Sequence, residues 1–181
     1  MRAHRRGRPR RRLIGTPTNP SPGPLPVLPS VDLLPPVARA ELVAYPLTEV
    51  ERAAHAGSPL GPAAGWYYGW AGAGMLALAL HELTPLPLVG VLVDAGEIAI
   101  GDRPLELMLH VSVWSDGQLL GAAGLRPAPR DGGERLIAVG PERVRDFCAE
   151  IGGPDHDDVH AVDAARLAAR ILLSHMGRLT A

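Results

Sequence analysis

The sequence contains no lysine and a single cysteine, Cys148, and aromatic residues make up only 4% of its 181 residues. One cysteine excludes an internal disulfide and any metal site built from several thiolates, and it fits the reducing cytoplasm where we expect the protein to be located. With so few aromatic residues, leucine, valine and alanine must fill the core, which an apolar content of 46% allows. No run of 18 uninterrupted apolar residues is present, so we expect no membrane-spanning segment.

Positive charge is concentrated at the start of the chain. Seven of the 18 arginines fall within the first twelve residues, whereas the other 11 share the rest of the chain with 19 acidic residues. Such a block can bind nucleic acid by displacing counterions from phosphates, although no aromatic residue interleaves it to stack on bases. It is either a nucleic-acid contact or a solvated tail. The candidate contact residues are Arg5, Arg6, Arg8, Arg10, Arg11 and Arg12.

The composition predicts two regions. Residues 17–29 contain six prolines, which remove amide donors and favour extended backbone. We therefore expect residues 1–36 to form a disordered tail, first rich in arginine and then in proline. Residues 37–181 are long enough for one domain. The domain begins with Val37–Ala44, which fits either a short helix or an extended segment.

Helical patterns come first within this domain. Thr48 followed by Glu51 forms a capping box, which predicts a short helix that Gly57 ends. An aromatic loop is expected over Gly61–Gly69. An almost entirely apolar helix, Trp70–Leu83, follows it and should be central to the fold.

Strand patterns come next. Leu86–Val93 is typical of a buried strand, and Leu105–Trp114 pairs with Gln118–Ala122 in a hairpin across the Asp116-Gly117 turn. Arg135–Val139 is a further short strand. Alternation along the first hairpin strand predicts two faces. These are Leu107, Leu109, Val111 and Val113 on one side, and Met108, His110, Ser112 and Trp114 on the other.

Two more helices follow, from Pro141 to Ile151 and from about Asp163 to Met176. The succession of helices, strands and helices predicts an α+β fold. In it, a central apolar helix packs on a small, mainly antiparallel sheet, and helices follow at the C-terminal end.

Four aromatic side chains stand close together in the sequence: Trp66, Tyr67, Tyr68 and Trp70. If they are exposed, they mark a binding surface. An equally good interpretation makes them the packing anchors of the central helix, because the chain has so few other aromatic residues.

Four segments carry a resemblance to a known family. They are Gly72–Thr84, Leu86–Val91, Leu109–Val113 and Asp116–Gly121. They resemble the central helix and the three following strands of small papain-like and transglutaminase-like cysteine hydrolases, over about residues 65–124. In that family a cysteine at the start of the helix is the nucleophile, a histidine on a strand takes its proton, and an acid or amide on the next strand orients the histidine.

The resemblance implies that only one of these three roles is filled here. His110 matches the histidine, but Gly72 and Gly74 lie where the nucleophile is expected, and Gly121 lies where the orienting residue is expected. Cys148 belongs to a later helix and is expected to be buried and unreactive. His110 is therefore a vestigial catalytic residue or a histidine on a half-buried strand face.

A second candidate site is a pair of histidines four residues apart, His156 and His160. On one helix they would share a face, as zinc ligands do in some proteases, with His175 or Asp163 as a possible third ligand. The aspartates between them also suit a helix N-terminus, so a capping cluster is the alternative interpretation.

These observations predict a non-catalytic interaction or regulatory protein on a papain-like scaffold, with another protein as its partner. The alternatives are a hydrolase, which could use zinc held by His156 and His160, and a nucleic-acid-associated protein that binds through the arginine block.

Overall fold

The computed structural model describes residues 30–100, 103–129 and 133–177. Their helices are α1 (Pro36–Ala44), α2 (Glu49–Ala54), α3 (Pro62–Gly69), α4 (Ala73–Leu83), α5 (Pro141–Glu150) and α6 (Val159–His175). Their strands are β1 (Leu88–Ile100), β2 (Arg103–Ser115), β3 (Gln118–Gly121), β4 (Gly124–Pro127) and β5 (Glu134–Ala138). The helices and the antiparallel sheet confirm the predicted α+β class.

The five strands form one sheet in the order β4-β3-β2-β1-β5, in which every neighbouring pair is antiparallel. The β2–β3 hairpin turns at Asp116 and Gly117, as predicted. Both residues have positive φ, 51° and 82°, which is the backbone geometry of the tight turn that Asp-Gly favours.

One face of the sheet packs against α4, and we call it the helix face; we call the opposite one the far face. Leu88, Val111, Val113 and Leu120 belong to the helix face and share the main core with α4. Val89, Val91 and Leu119 form a second, smaller apolar cluster on the far face.

Strict alternation of side chains along β2 was expected, and it is broken at Leu109. Val91 pairs with His110, but the next residue of β1, Leu92, pairs with Met108, so Leu109 is a bulge without a partner. Met108 consequently packs with the main core, although it was predicted on the face opposite Val111. The bulge leaves Leu109 56% exposed.

Helix α4 is central, as predicted. Every residue from Ala73 to Leu80 is buried, between the sheet on one side and α5 and α6 on the other. Burying one leucine side chain contributes about 1.5–3 kcal/mol, and the small residues of α4 allow its neighbours to pack closely. Helix α4 therefore packs against both the sheet and the two C-terminal helices.

The region before α4 differs from its prediction. Residues 62–69 form helix α3 rather than a loop, with Pro62 in its first turn, where proline is well tolerated. Trp70 is the C-cap residue that follows α3, and its ψ of −98° is not helical, so α4 begins at Ala73 rather than at Trp70. The short helix predicted after Thr48 is present, with both hydrogen bonds of the capping box.

The core also begins earlier than the predicted boundary at residue 36. Leu33, the last residue of the short 3₁₀ helix Ser30–Leu33, and Leu34, which follows it, are buried in the main core. The Tyr68 hydroxyl donates a hydrogen bond of 2.9 Å to the Leu33 carbonyl. The segment Val37–Ala44, for which the sequence left a short helix and an extended segment open, belongs to helix α1.

Candidate functional site

The start of α4 has no room for a nucleophile at its glycines. A Cβ atom on Gly72 would lie 2.6 Å from Cε1 of Tyr67 and 2.8 Å from Cδ1 of Tyr68. A Cβ atom on Gly74 would overlap the sulfur of Cys148 and lie 3.2 Å from Cγ1 of Val144. Glycine at these positions is thus a requirement of packing, because the neighbouring side chains occupy the volume that a side chain would need.

A thiol is nevertheless present at the start of α4, and it comes from α5. Cys148 is fully buried against Gly74. Burial raises the pKa of its thiol to about 11, while a hydrogen bond from the Gly74 backbone acts in the opposite direction. At neutral pH the group is protonated and shielded from solvent, so it is not a nucleophile.

His110 lies on the far face of the sheet, at the edge of an open cleft of about 650 Å³. We call this cavity the His110 cleft. Burial, and then the positive charge of Arg126, lower the pKa of His110 to about 4. The ring is therefore neutral at physiological pH. The cleft is lined by, among others, Trp70, Val91, Leu109, His110, Gly121 and Arg126.

Gly121 lies beside the ring of His110. Because Val113 pairs with Leu120, the next position of β3 comes opposite Ser112 on the same face as His110. A Cβ atom at Gly121 would lie 3.7 Å from Nε2 of His110 and 3.4 Å from Oγ of Ser112. A side chain here would be in ordinary contact with the imidazole. Glycine leaves a gap at this point of the far face, which we call the Gly121 notch.

The side chain of Ser112 is buried next to the notch. The residue is only 1% exposed, and its hydroxyl has no hydrogen-bond partner among the described residues. A buried hydroxyl without a partner costs about 1–3 kcal/mol. The oxygen is inaccessible to solvent and Ser112 does not line the cleft, so a ligand bound in the cleft would not satisfy this hydroxyl.

The four clustered aromatic residues separate into different environments. Tyr67 and Tyr68 are buried and contact each other edge to face, with ring centroids 4.9 Å apart. Trp66 packs partly buried against the core. Trp70, by contrast, is 69% exposed and lines the His110 cleft. The packing interpretation therefore applies to the tyrosines, and a binding role is open only to Trp70.

His156 and His160 do not form the predicted pair. Helix α6 begins at Val159, and His156 lies before it. The two histidines are therefore not on one helix, and their spacing of four residues does not place them on a common helical face. Asp158 is the N-cap, and its carboxylate accepts a hydrogen bond of 2.9 Å from the backbone of His160. The capping interpretation is confirmed, and α6 begins before the predicted Asp163.

No zinc site accompanies these histidines in the described part of the chain. Among the described residues there is no group of three or more His, Cys, Asp or Glu side chains that could hold one metal ion. His175 instead contacts the Ile171 carbonyl through Nδ1, at 3.1 Å on its own helix.

The arginine block, including Arg5 and Arg12, lies outside the described residues, so nucleic-acid contact through it stays a prediction. Within the described ranges, no helix has both the length and the apolar character needed to cross a bilayer.

Sequence reasoning missed Arg126 as a cleft residue because β4 was not predicted. Arg126 pairs with Leu119 across β3, which places it on the far face with His110. Alternation from Gly124 could have placed it there, but a segment of four residues, three of which are Gly, Arg and Pro, gives a weak strand signal. His55 and Glu134 also line the cleft and were missed, because they come from distant segments.

No protein-family model matches this chain. Comparisons with the curated proteins and with the solved structures also found no match.

Proposed function

We propose that this chain is a non-catalytic interaction or regulatory protein on a papain-like scaffold, and that the His110 cleft binds its partner. The observation that carries the proposal is the filled space at the start of α4. The tyrosine rings at Gly72 and the Cys148 sulfur at Gly74 leave no place for a nucleophilic side chain.

Two of the three chemical roles of a cysteine hydrolase are missing, each for a separate physical reason. The thiol at the start of α4 is buried, and its pKa is raised to about 11. His110 is available as a neutral base, but position 121 offers no carboxylate to orient it. A histidine without a nucleophile or an orienting group does not hydrolyse amides efficiently.

The cleft has the properties of a binding site. Its volume of about 650 Å³ falls within the range of pockets that enclose ligands, and a few polar groups converge in a mostly apolar lining. Trp70 and Leu109 are both exposed at this site, 69% and 56% respectively. Exposed tryptophan is enriched among the residues that dominate binding energy in protein interfaces. We expect the partner to be another protein, which places a short segment of its chain in the cleft.

Selection of peptides from a displayed library tests the binding role. We expect peptides that bind the wild-type protein and lose at least about tenfold in affinity with Trp70→Ala, the loss expected for an aromatic anchor. Tyr45→Ala is the matched control, because Tyr45 is also aromatic and 81% exposed but does not line the cleft. If selected peptides bind both variants equally, or if none depends on Trp70, the cleft is not the partner site.

Alkylation of Cys148 tests the absence of catalysis. Iodoacetamide should leave the native protein unmodified and should label Cys148 only after unfolding in urea, because the thiol is buried and protonated. Rapid labelling of the native protein that requires His110 would instead indicate an active thiol and would contradict the proposal.

A further inference from the structure

The Gly121 notch has the geometry of a small polar subsite within the His110 cleft. One point, the position of a Cβ atom on Gly121, is 3.7 Å from Nε2 of His110 and 3.4 Å from Oγ of Ser112. The imidazole lines the cleft and is neutral, so one ring nitrogen can donate a hydrogen bond to a ligand, whereas the Ser112 hydroxyl is buried and does not line the cleft. Because Gly121 carries no side chain, a ligand oxygen that lies in the cleft over Gly121 can accept a hydrogen bond from this ring nitrogen.

The charge near the notch favours an anion. Arg126 lies on the same face and close enough to His110 to disfavour its protonation. Among the described residues, Arg126 takes part in none of the ion pairs. His55 and Glu134 are the other titratable groups that line the cleft, and among the ion pairs of the described residues neither is paired with Arg126. A guanidinium that has no ion-pair partner among the described residues and lies near a hydrogen-bond donor is suited to a carboxylate, which it can bind with two parallel hydrogen bonds.

We infer that the cleft binds a carboxylate in the Gly121 notch, between His110 and Arg126, and that this carboxylate is the C-terminus of the partner's polypeptide chain. The ligand thereby supplies the acid that position 121 lacks. The side chain next to the carboxylate is apolar and packs on Leu109 and Trp70. The inference rests on the proposed function and specifies the partner of the same cleft.

A matched pair of probes tests the need for a carboxylate. N-acetyl-leucine and N-acetyl-leucine amide differ only in charge and acceptor capacity at one end. We expect the acid to shift the NMR signals of His110 and Gly121 and to bind at least about tenfold more tightly than the amide, a typical effect of one charge-assisted hydrogen-bonded pair. Binding should also raise the pKa of His110, because a negative charge then lies beside the ring. Equal affinities, or the absence of binding by both probes at millimolar concentration, would overturn the inference.

Substitutions test the position of the carboxylate. Arg126→Gln should weaken the acid about tenfold and leave the amide unchanged, whereas Arg170→Gln, a change on the exposed face of α6, should alter neither. If Arg126→Gln weakens acid and amide alike, or neither, then Arg126 does not hold a carboxylate. Backbone NMR spectra of each variant confirm that it is folded.

A longer probe distinguishes a chain end from a free small acid. N-acetyl-Ala-Ala-Leu with a free carboxylate should bind more tightly than N-acetyl-leucine, because its additional residues lie along the cleft. Equal affinity would overturn the assignment to a polypeptide C-terminus.

The outcomes also separate the proposed function from the carboxylate inference. Peptides that depend on Trp70 but tolerate C-terminal amidation would leave the proposed function standing and remove the carboxylate. Binding of N-acetyl-leucine without any Trp70-dependent peptide would remove the protein partner.

Discussion

The contact between Gly74 and Cys148 makes a double-substitution cycle possible. Alanine at position 74 would put a methyl group into the space of the Cys148 sulfur, with Val144 closing the other side at 3.2 Å. Introducing a methyl group into such packing costs about 1–3 kcal/mol. Replacing glycine by alanine inside a helix returns up to about 1 kcal/mol. Because the methyl group would overlap the sulfur, the cost lies at the upper end of this range, and we therefore expect Gly74→Ala to lower the free energy of unfolding by about 2 kcal/mol.

The second substitution should reverse the loss. Cys148→Ala by itself removes the sulfur and leaves a small cavity, at a cost of about 1 kcal/mol. In the double variant the new methyl group occupies the volume that the sulfur has vacated. If the positions were independent, the losses would add to about 3 kcal/mol. We expect instead a double variant close to the wild type in its free energy of unfolding.

Urea denaturation followed by far-ultraviolet circular dichroism measures the free energy of unfolding of the wild type, the two single variants and the double variant. Gly57→Ala is the control, since a Cβ atom there would have no neighbour within 4 Å. If Gly74→Ala alone is neutral or stabilising, or if the two losses add, then the start of α4 is not filled by the sulfur. The structural argument against a nucleophile at that position would then fail.

Three further predictions concern the far face. Gly121→Asp should raise the pKa of His110, because the new carboxylate lies beside the ring; an unchanged histidine titration by NMR would place position 121 elsewhere. The folded-state pKa of His110, about 4, is below its ordinary value of 6.5, so the unfolded chain binds the proton more tightly. The unfolding free energy should therefore be constant with respect to this group above pH 6.5 and fall by up to about 3 kcal/mol as the pH drops towards 4. Denaturation of His110→Gln over the same pH range should show a shallower slope, and identical slopes would contradict the prediction. Ser112→Ala removes an unpaired buried hydroxyl and should stabilise the ligand-free protein by about 1 kcal/mol in urea denaturation, whereas a loss of stability would indicate a hydrogen bond in the native fold.

The elements that sequence reasoning predicted correctly are those specified by neighbouring residues. The capping box of Thr48 and Glu51 depends on a spacing of three residues, and the hairpin depends on the ability of Asp116 and Gly117 to adopt positive φ. The central position of α4 follows from an apolar run that only a core can accommodate. Local chemistry was sufficient in each case because the partners are close in the chain.

Errors arose where packing overrode local preference. A glycine-rich aromatic segment forms α3 because burying Tyr67 and Tyr68 compensates for its poor helix formers. The bulge at Leu109 moves Met108 to the helix face, and no period-two pattern can signal such an insertion. The pairing of His156 with His160 fails because the cap at Asp158 begins α6 between them.

The amino-acid sequence alone determined the fold class, the central helix, the hairpin and the absence of a cysteine at Gly72 and Gly74. Only the tertiary structure decided that a sulfur from α5 fills the start of α4 and that His110, Ser112, Gly121 and Arg126 share one face of the sheet. The physical reason is distance along the chain. Patterns of spacing report on neighbours within a turn or a strand, whereas the packing of α5 on α4 and the register of β2, β3 and β4 arise only when remote segments exclude water together.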